Sequence, residues 1–139
     1  MNQELYLLKK KQRKEQAKKR SLIDISILSD NFFYKKLNDY GWFNQGKIIA
    51  SFISIKSEIS TNNLNQYLLS LGKILCLPVI ENEKEVLIFK RYCVGDELKK
   101  GKFGVREPVN SQTHLPDIIF VPCLAFDENG FRLGYGGGY

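Results

Sequence analysis

The last eight residues carry the most specific chemical pattern in the sequence. Arg132 begins the run Arg-Leu-Gly-Tyr-Gly-Gly-Gly-Tyr, and four of the chain's 11 glycines lie between residues 134 and 138. Glycines let successive backbone N–H groups turn toward one point, and such a nest binds anions, phosphate above all. The run is neither a G-x-G-x-x-G fingerprint nor a Walker loop, so a frayed glycine-rich terminus is the competing interpretation. The positive charge of Arg132 favours the phosphate-binding interpretation.

Two carboxylates occupy positions that suit a ligand site. Glu58 follows directly on an apolar, β-branched run that begins at Lys47, and open α/β sheets bind ligands at the carboxyl ends of strands. There it can accept hydrogen bonds from an amine- or amide-rich ligand, or it can interact with the dipole at the start of the following helix. Glu107, at the end of a long polar stretch, leaves the same choice between a ligand and a structural role.

The remaining reactive side chains indicate no further chemistry. His114 is the only histidine, which excludes a multi-histidine metal site, and we expect it at the surface. Three widely spaced cysteines without a C-x-x-C pair exclude both a disulfide framework and a structural zinc site. Cys76 and Cys123 lie in apolar runs and are predicted to be core residues. Asp127 is predicted to form the turn between two phenylalanines.

Positive charge is concentrated near the N-terminus. Lys9–Arg20 holds eight Lys and Arg against one acid, whereas the rest of the chain has 13 basic and 14 acidic residues and is nearly neutral. Leu5–Arg20 lacks Gly and Pro and is predicted to be a helix. Its mostly polar face is traced by Leu5, Leu8, Gln12, Gln16 and Lys19. The basic run fits a solvated helix, a nucleic-acid-binding arm or a helix presenting cations to a small phosphorylated ligand.

Hydrophobic runs and turn residues predict alternating strands and helices around these groups. The strands are predicted at Lys47–Ser54, Lys73–Ile80, Glu85–Tyr92 and Asp117–Val121. A helix over Asn62–Leu71 is expected to be capped by the Thr61 hydroxyl and to end before Gly72. Phe32–Leu37 has helical spacing, Gly41 and Gly46 bracket a turn around Trp42, and Gly95–His114 is predicted to be a long surface loop.

Length and composition bound the fold class. The 139 residues, 43% hydrophobic and 26% charged, predict one globular domain spanning residues 1–139. No apolar stretch approaches the roughly 20 residues that cross a bilayer, and no signal peptide is apparent, so we expect a cytoplasmic protein without a membrane partner. The strand–helix–strand order predicts an α/β domain with a three-layer, sandwich-like architecture, in which helices flank a mixed, largely parallel sheet.

Several segments together resemble the 5-formyltetrahydrofolate cyclo-ligase (methenyltetrahydrofolate synthetase) family. The matching segments run in order from the basic helix to the glycine-rich end: Lys9 with Arg13, FISIKSEIST at 52–61, GKILCLP at 72–78, REP at 106–108, and PDIIFVPCLAFDENGFRLGYGGGY at 116–139. The last segment is the specific one. The resemblance covers nearly the whole chain.

The resemblance implies an ATP- and magnesium-dependent ring closure that converts 5-formyltetrahydrofolate to 5,10-methenyltetrahydrofolate, releasing ADP and phosphate. It assigns ATP binding to Lys9, Arg13, Arg132, Leu133, Gly134, Tyr135, Gly136, Gly137, Gly138 and Tyr139. It assigns folate binding to Ile55, Glu58, Tyr135, Gly136, Gly137, Gly138 and Tyr139, with a lesser contribution from Glu107. No single residue is assigned as catalytic.

This sequence stops at Tyr139, whereas members of the family continue with a further Tyr, an Asp that helps to hold magnesium, a helix and additional strands. We therefore expect a C-terminally shortened, monomeric cyclo-ligase domain that lacks this helix and these strands and has no metal ligand within the chain. An inactive remnant that binds folate or nucleotide is the alternative. A nucleic-acid-binding module is least favoured, because no aromatic residues are interleaved in the basic run.

Overall fold

The computed structural model describes residues 3–25, 36–81, 86–109 and 112–137. The chain forms two compact units. The larger comprises Leu28–Val121, and the smaller joins Met1–Ile27 to Pro122–Tyr139.

The larger unit is built on a five-stranded mixed sheet. Its strands, in order across the sheet, are β6 (Thr113–His114), β3 (Ile88–Arg91), β2 (Ile74–Val79), β1 (Ile48–Ala50) and β7 (Ile118–Ile119). β1 pairs in parallel with β2 and β7, while β3 is antiparallel to both β2 and β6. The expected mixed sheet flanked by helices is confirmed, and the predicted strands are present with shorter bounds.

Two helices of this unit cover the sheet with apolar side chains. The turn predicted around Trp42 forms a one-turn helix, α2 (Trp42–Gln45), and α3 spans Asn62–Ser70. The core contains Leu37, Phe43, Ile49, Leu64, Leu68, Leu75, Leu77 and Tyr92. Leu64 and Leu68 are one helical turn apart, so they share the face of α3 that packs on the sheet. Cys76 is fully buried on β2, as predicted.

The predicted cap of α3 is wrong. The Thr61 hydroxyl donates to the carbonyl of Phe52 at 2.6 Å instead of accepting from the helix N-terminus. Gly72 follows the helix in the left-handed conformation at φ 71°, as its position predicts. The predicted helical segment Phe32–Leu37 falls mostly outside the described residues.

The segment Gly95–His114 is not the predicted loop. It contains β4 (Leu98–Lys100), a 3₁₀ turn (Lys102–Gly104), β5 (Arg106–Pro108) and β6. β4 and β5 form a separate antiparallel pair. His114 is half-buried on β6 rather than exposed, because β6 pairs with β3, and its enclosed Nε2 has no hydrogen-bond partner among the described residues.

The smaller unit consists of helix α1 (Gln3–Ser21) and the hairpin β8 (Ala125–Phe126) and β9 (Arg132–Leu133). Asp127 makes the hairpin turn, as predicted: its Oδ1 accepts from the backbone of Asn129 at 3.0 Å and of Phe131 at 2.9 Å. The half-buried face of α1 is polar but differs from the predicted one. It comprises Lys9, Arg13, Gln16, Ala17 and Arg20. Within the described residues, no helix is long and apolar enough to cross a membrane.

The Asp117 carboxylate binds the backbone at the start of β1, and this contact predicts that the stability of the fold depends on pH. Its Oδ2 accepts from the backbone N–H of Ile48 at 2.9 Å and of Lys47 at 2.8 Å, and these bonds lower the pKa of the carboxyl group. A lowered folded-state pKa stabilises the fold above the unfolded pKa of about 3.9, and the benefit is lost as pH falls through the folded value.

We therefore expect Asp117→Asn to have a lower melting temperature than the wild type at pH 7. The difference should shrink below about pH 4, where the wild-type carboxyl also becomes protonated. Thermal unfolding followed by circular dichroism at pH 3–7 measures it. Asp39→Asn, at an exposed position of the same unit, is the control, and a difference for Asp117→Asn that is independent of pH would contradict the assignment.

Candidate functional site

The carboxyl ends of β1 and β2 form an uneven edge of the sheet. β1 pairs with β2 only as far as Ala50 opposite Cys76, so β2 continues for three residues beyond the β1 pairing. Pro78, which has no N–H to donate, lies in this extension. In α/β sheets, ligands bind at this carboxyl end of the parallel strands.

Glu58 lies after β1 at this edge and closes a tight turn. The residue is only 7% exposed, and its Oε2 accepts from the backbone N–H of Ile55 at 2.9 Å. The backbone N–H of Glu58 in turn donates to the Ile55 carbonyl at 3.1 Å. Lys56, inside the turn, has a φ of 52°, which is uncommon for a residue other than glycine. The carboxylate thus holds a strained turn and fixes Ile55 beside it.

Hydroxyl groups hold the rest of this segment in place. Ser54 donates to the Ile59 carbonyl at 2.5 Å and accepts from the Thr61 backbone N–H at 3.0 Å. These side-chain bonds explain why β1 ends at Ala50 instead of continuing to Ser54, as the sequence predicts, since they satisfy backbone groups that a sheet ladder would otherwise use. Because α3 begins at Asn62 and has no acid in its first turn, Glu58 does not serve its dipole.

Glu107 is a second buried carboxylate at the same end of β2. It lies on β5, is 4% exposed, and accepts through Oε1 from the backbone N–H of Ile80 at 3.2 Å. Ile80 directly follows β2. Gly101 packs so closely on the Glu107 carboxylate that a Cβ at that position would overlap it. Glycine therefore makes room for the buried acid.

The smaller unit contains the predicted phosphate-binding residues. Arg13 donates from Nε to the Gly134 carbonyl at 3.0 Å. A Cβ added to Gly136, whose φ is 97°, would lie 3.1 Å from the Arg13 guanidinium carbon. Arg13 and the glycine segment of residues 134–137 are thus in direct contact. Because the hydrogen bond uses Nε, it does not use the terminal amino groups of the guanidinium.

Arg20 makes a second set of contacts with the same hairpin. It donates from Nη1 to the Cys123 carbonyl at 3.1 Å and from Nη2 to the Tyr135 hydroxyl. Its guanidinium carbon also lies 5.5 Å from the centre of the Tyr135 ring, within the range of a cation–π interaction. Arg20 belongs to the basic run but was not predicted as a site residue. Its spacing of seven residues from Arg13, which places both on one face of a helix, is the signal that could have found it.

The predicted site residues therefore fall into two groups, one in each unit. Ile55 and Glu58 share one turn of the larger unit, where Glu107 occupies the same end of β2. In the smaller unit, Arg13 contacts Gly134 and lies against Gly136. The other predicted residues of that unit are half-buried Lys9 and Leu133 and exposed Arg132, Tyr135 and Gly137. Gly138 and Tyr139 lie outside the described residues.

The chemistry of the smaller unit suits a phosphate better than a metal ion. Guanidinium groups and glycine N–H groups are donors, and phosphate oxygens are their natural acceptors. Within the described ranges, no group of three or more His, Cys, Asp or Glu could hold a metal ion. Burial raises the pKa of the Cys76 thiol to about 11, and nearby Arg91 only partly offsets this, so Cys76 is no nucleophile at neutral pH.

Comparisons with known proteins agree on one family. The model of the 5-formyltetrahydrofolate cyclo-ligase family matches residues 6–139. The 5-formyltetrahydrofolate cyclo-ligase of Haemophilus influenzae is 44% identical over 101 residues, which are 68% of this chain and 54% of that protein. The Escherichia coli K12 enzyme is 35% identical over 97 residues, 66% of this chain and 53% of that protein. The chain thus spans about half the length of these curated relatives.

A solved structure supports the same relationship. The NMR structure of Aquifex aeolicus 5,10-methenyltetrahydrofolate synthetase superimposes with a TM-score of 0.78 at 32% sequence identity. The match covers 95% of this chain and 69% of that protein.

The contact between Gly101 and Glu107 predicts a specific steric effect. The backbone of Gly101 is extended, with φ −89° and ψ −168°, so alanine can adopt its conformation, and the atoms nearest to the added methyl group belong to the Glu107 side chain. We expect Gly101→Ala to lower the free energy of unfolding by about 1–3 kcal/mol, as overpacking does. Urea denaturation measures this loss.

Glu107→Asp provides the matched test, because it shortens the acid by one methylene. The double variant Gly101→Ala/Glu107→Asp should lose less stability than the two single variants together. If the stability losses of the two single variants add up to that of the double variant, the added methyl group and the carboxylate are not in steric contact.

Proposed function

Because the chain belongs to the 5-formyltetrahydrofolate cyclo-ligase family, we propose that it binds ATP and 5-formyltetrahydrofolate and closes the folate ring to 5,10-methenyltetrahydrofolate. In this reaction the formyl oxygen attacks the γ-phosphorus of ATP and ADP leaves. N10 of the folate then attacks the activated carbon, and phosphate leaves. The protein's task is therefore to position two ligands and to balance phosphate charge.

The observation that carries the ATP assignment is the contact between Arg13 and the glycine segment. Arg13 Nε donates to Gly134, and the guanidinium lies against Gly136. This contact fixes the orientation of the cation, while its terminal amino groups can donate to phosphate oxygens in the bidentate way that arginine favours. Lys9, one helical turn earlier on the same face, adds a second cation.

The two arginine contacts also favour one of the three interpretations of the basic helix. Arg13 and Arg20 both hydrogen-bond to the hairpin of their own unit, so α1 is more than a solvated helix. An arginine held against a glycine turn suits a compact phosphate ligand. Magnesium would enter with the phosphates of ATP, where it neutralises charge, since the described residues provide no cluster of metal ligands.

The folate assignment relies on the turn at Glu58. Its buried carboxylate is oriented by the hydrogen bond that it accepts from the backbone N–H of Ile55, and carboxylate oxygens are natural acceptors for the N–H groups of a pterin ring. Ile55, fixed by the same bond, offers an apolar wall beside it. Glu107, buried at the end of β2, would line the same edge of the sheet.

The first test of this proposal is turnover by the chain of residues 1–139. We expect ATP- and magnesium-dependent formation of the methenyl product, followed by its near-ultraviolet absorbance. Omission of ATP is the control. A folded protein that shows no turnover would contradict the proposed activity for this chain.

Single variants test the two ligand assignments separately. Arg13→Ala should weaken ATP binding about tenfold or more, the effect of losing a charge-assisted hydrogen bond, without changing the affinity for folate. Lys14→Ala, which removes a cation from the neighbouring exposed position, should have little effect. Isothermal titration calorimetry with each ligand alone measures both affinities.

Glu58→Gln should weaken folate binding rather than ATP binding, the opposite of Arg13→Ala. It keeps an oxygen that can accept from Ile55 but removes the charge, so we expect about tenfold weaker binding of 5-formyltetrahydrofolate and unchanged binding of ATP. Glu97→Gln, at an exposed position of the same unit, is the matched control. Unchanged folate affinity in folded Glu58→Gln would remove Glu58 from the site.

A further inference from the structure

Arg20 ties together the two open ends of the β8–β9 hairpin. Cys123 comes two residues before β8, and Tyr135 comes two residues after β9. One guanidinium donates to both, through Nη1 to the Cys123 carbonyl and through Nη2 to the Tyr135 hydroxyl. The Leu124 N–H closes the ladder between them by donating to the Leu133 carbonyl at 2.8 Å. Arg20 therefore lies where the hairpin passes into the glycine segment.

We infer that Arg20 is a positioning residue that holds Tyr135, and with it the glycine segment, in place for the phosphates of ATP. This inference rests on the proposed function. Arg20 acts through Tyr135, and the inference assigns it no contact with ATP.

The spacing of the two arginines explains the need for both. Seven residues of α-helix separate Arg13 from Arg20, about 10 Å along the axis. Arg13 contacts Gly134 and Gly136, whereas Arg20 contacts the residue between them, Tyr135, by its side chain. Three consecutive residues are thus attached to one helix face at two separate points. A glycine-rich segment has high conformational freedom, and fixing it beforehand lowers the entropy that ligand binding must overcome.

A lysine at position 20 cannot make all the contacts that Arg20 makes. The planar guanidinium donates two hydrogen bonds in fixed directions and lies over the tyrosine ring within cation–π distance, whereas an ammonium group is a point charge without that geometry. Tyr135 is 36% exposed, so water competes for its hydroxyl once the fork is lost. Arg20→Lys therefore separates geometry from charge.

Chymotrypsin measures the position of Tyr135 without any ligand, because it cleaves after tyrosine. We expect Arg20→Gln to accelerate cleavage between Tyr135 and Gly136 about tenfold, read by mass spectrometry, with cleavage after exposed Phe126 and Phe131 as internal references. Arg20→Lys should fall between Arg20→Gln and the wild type. Lys19→Gln, which removes the neighbouring exposed charge, should match the wild type.

ATP titration of the same proteins completes the test. Arg20→Gln should bind ATP about tenfold more weakly, Arg20→Lys should recover part of the loss, and Lys19→Gln should bind normally. If Arg20→Gln is cleaved after Tyr135 at the same rate as the wild type, the inference is overturned. It is also overturned if Arg20→Gln is cleaved faster but binds ATP with unchanged affinity. If the wild type binds no ATP, the proposed function fails, and the role of Arg20 for ATP fails with it. The cleavage rates would still report whether Arg20 holds Tyr135.

Discussion

The parallel pairing of β1 on both of its sides is the constraint on which the larger unit depends. Ile49 and Ala50 are fully buried between β2 and β7. Asp117 fixes where β1 begins by accepting two backbone N–H groups, and the turn at Glu58 follows where it has ended. Because β1 has only three residues, the carboxyl end of the longer β2 extends beyond its pairing with β1. The two buried carboxylates lie at that end.

The smaller unit is held together by a different interaction. No residue of α1 is buried, so hydrophobic packing cannot by itself fix the hairpin on the helix. The contacts are instead made by guanidinium groups, which donate to Gly134, Cys123 and Tyr135. These three hydrogen bonds lie in a partly exposed setting. Charge-assisted hydrogen bonds form there without the large desolvation penalty of a buried charge. The cations of α1 are therefore part of the fold as well as of the candidate site.

Sequence patterns predicted the elements better than their ends. The apolar runs around Ile49 and Leu75 identified two central strands because burial on both faces requires continuous hydrophobicity. The end of β1 depends on the hydroxyls of Ser54 and Thr61, and the hydrophobic pattern of the sequence does not show which backbone groups these hydroxyls bind. Strands β4 and β5 were missed because their polar sequences, LKK and REP, carry no apolar alternation. Glu58 was singled out by its position after an apolar strand and Arg13 by the family resemblance, whereas Arg20 is recognised only when the face of α1 that contacts the hairpin is known.

The candidate ligand-binding groups already have partners within the protein. The carboxylate of Glu58 holds a strained turn, and the guanidinium of Arg13 holds a glycine turn. Each group is thereby oriented before any ligand arrives, and a carboxylate or guanidinium has enough acceptors or donors to serve both partners. Preorganisation of this kind reduces the reorganisation that accompanies binding and reaction. It also joins folding to function, because a change at either residue alters a backbone turn as well as a ligand contact.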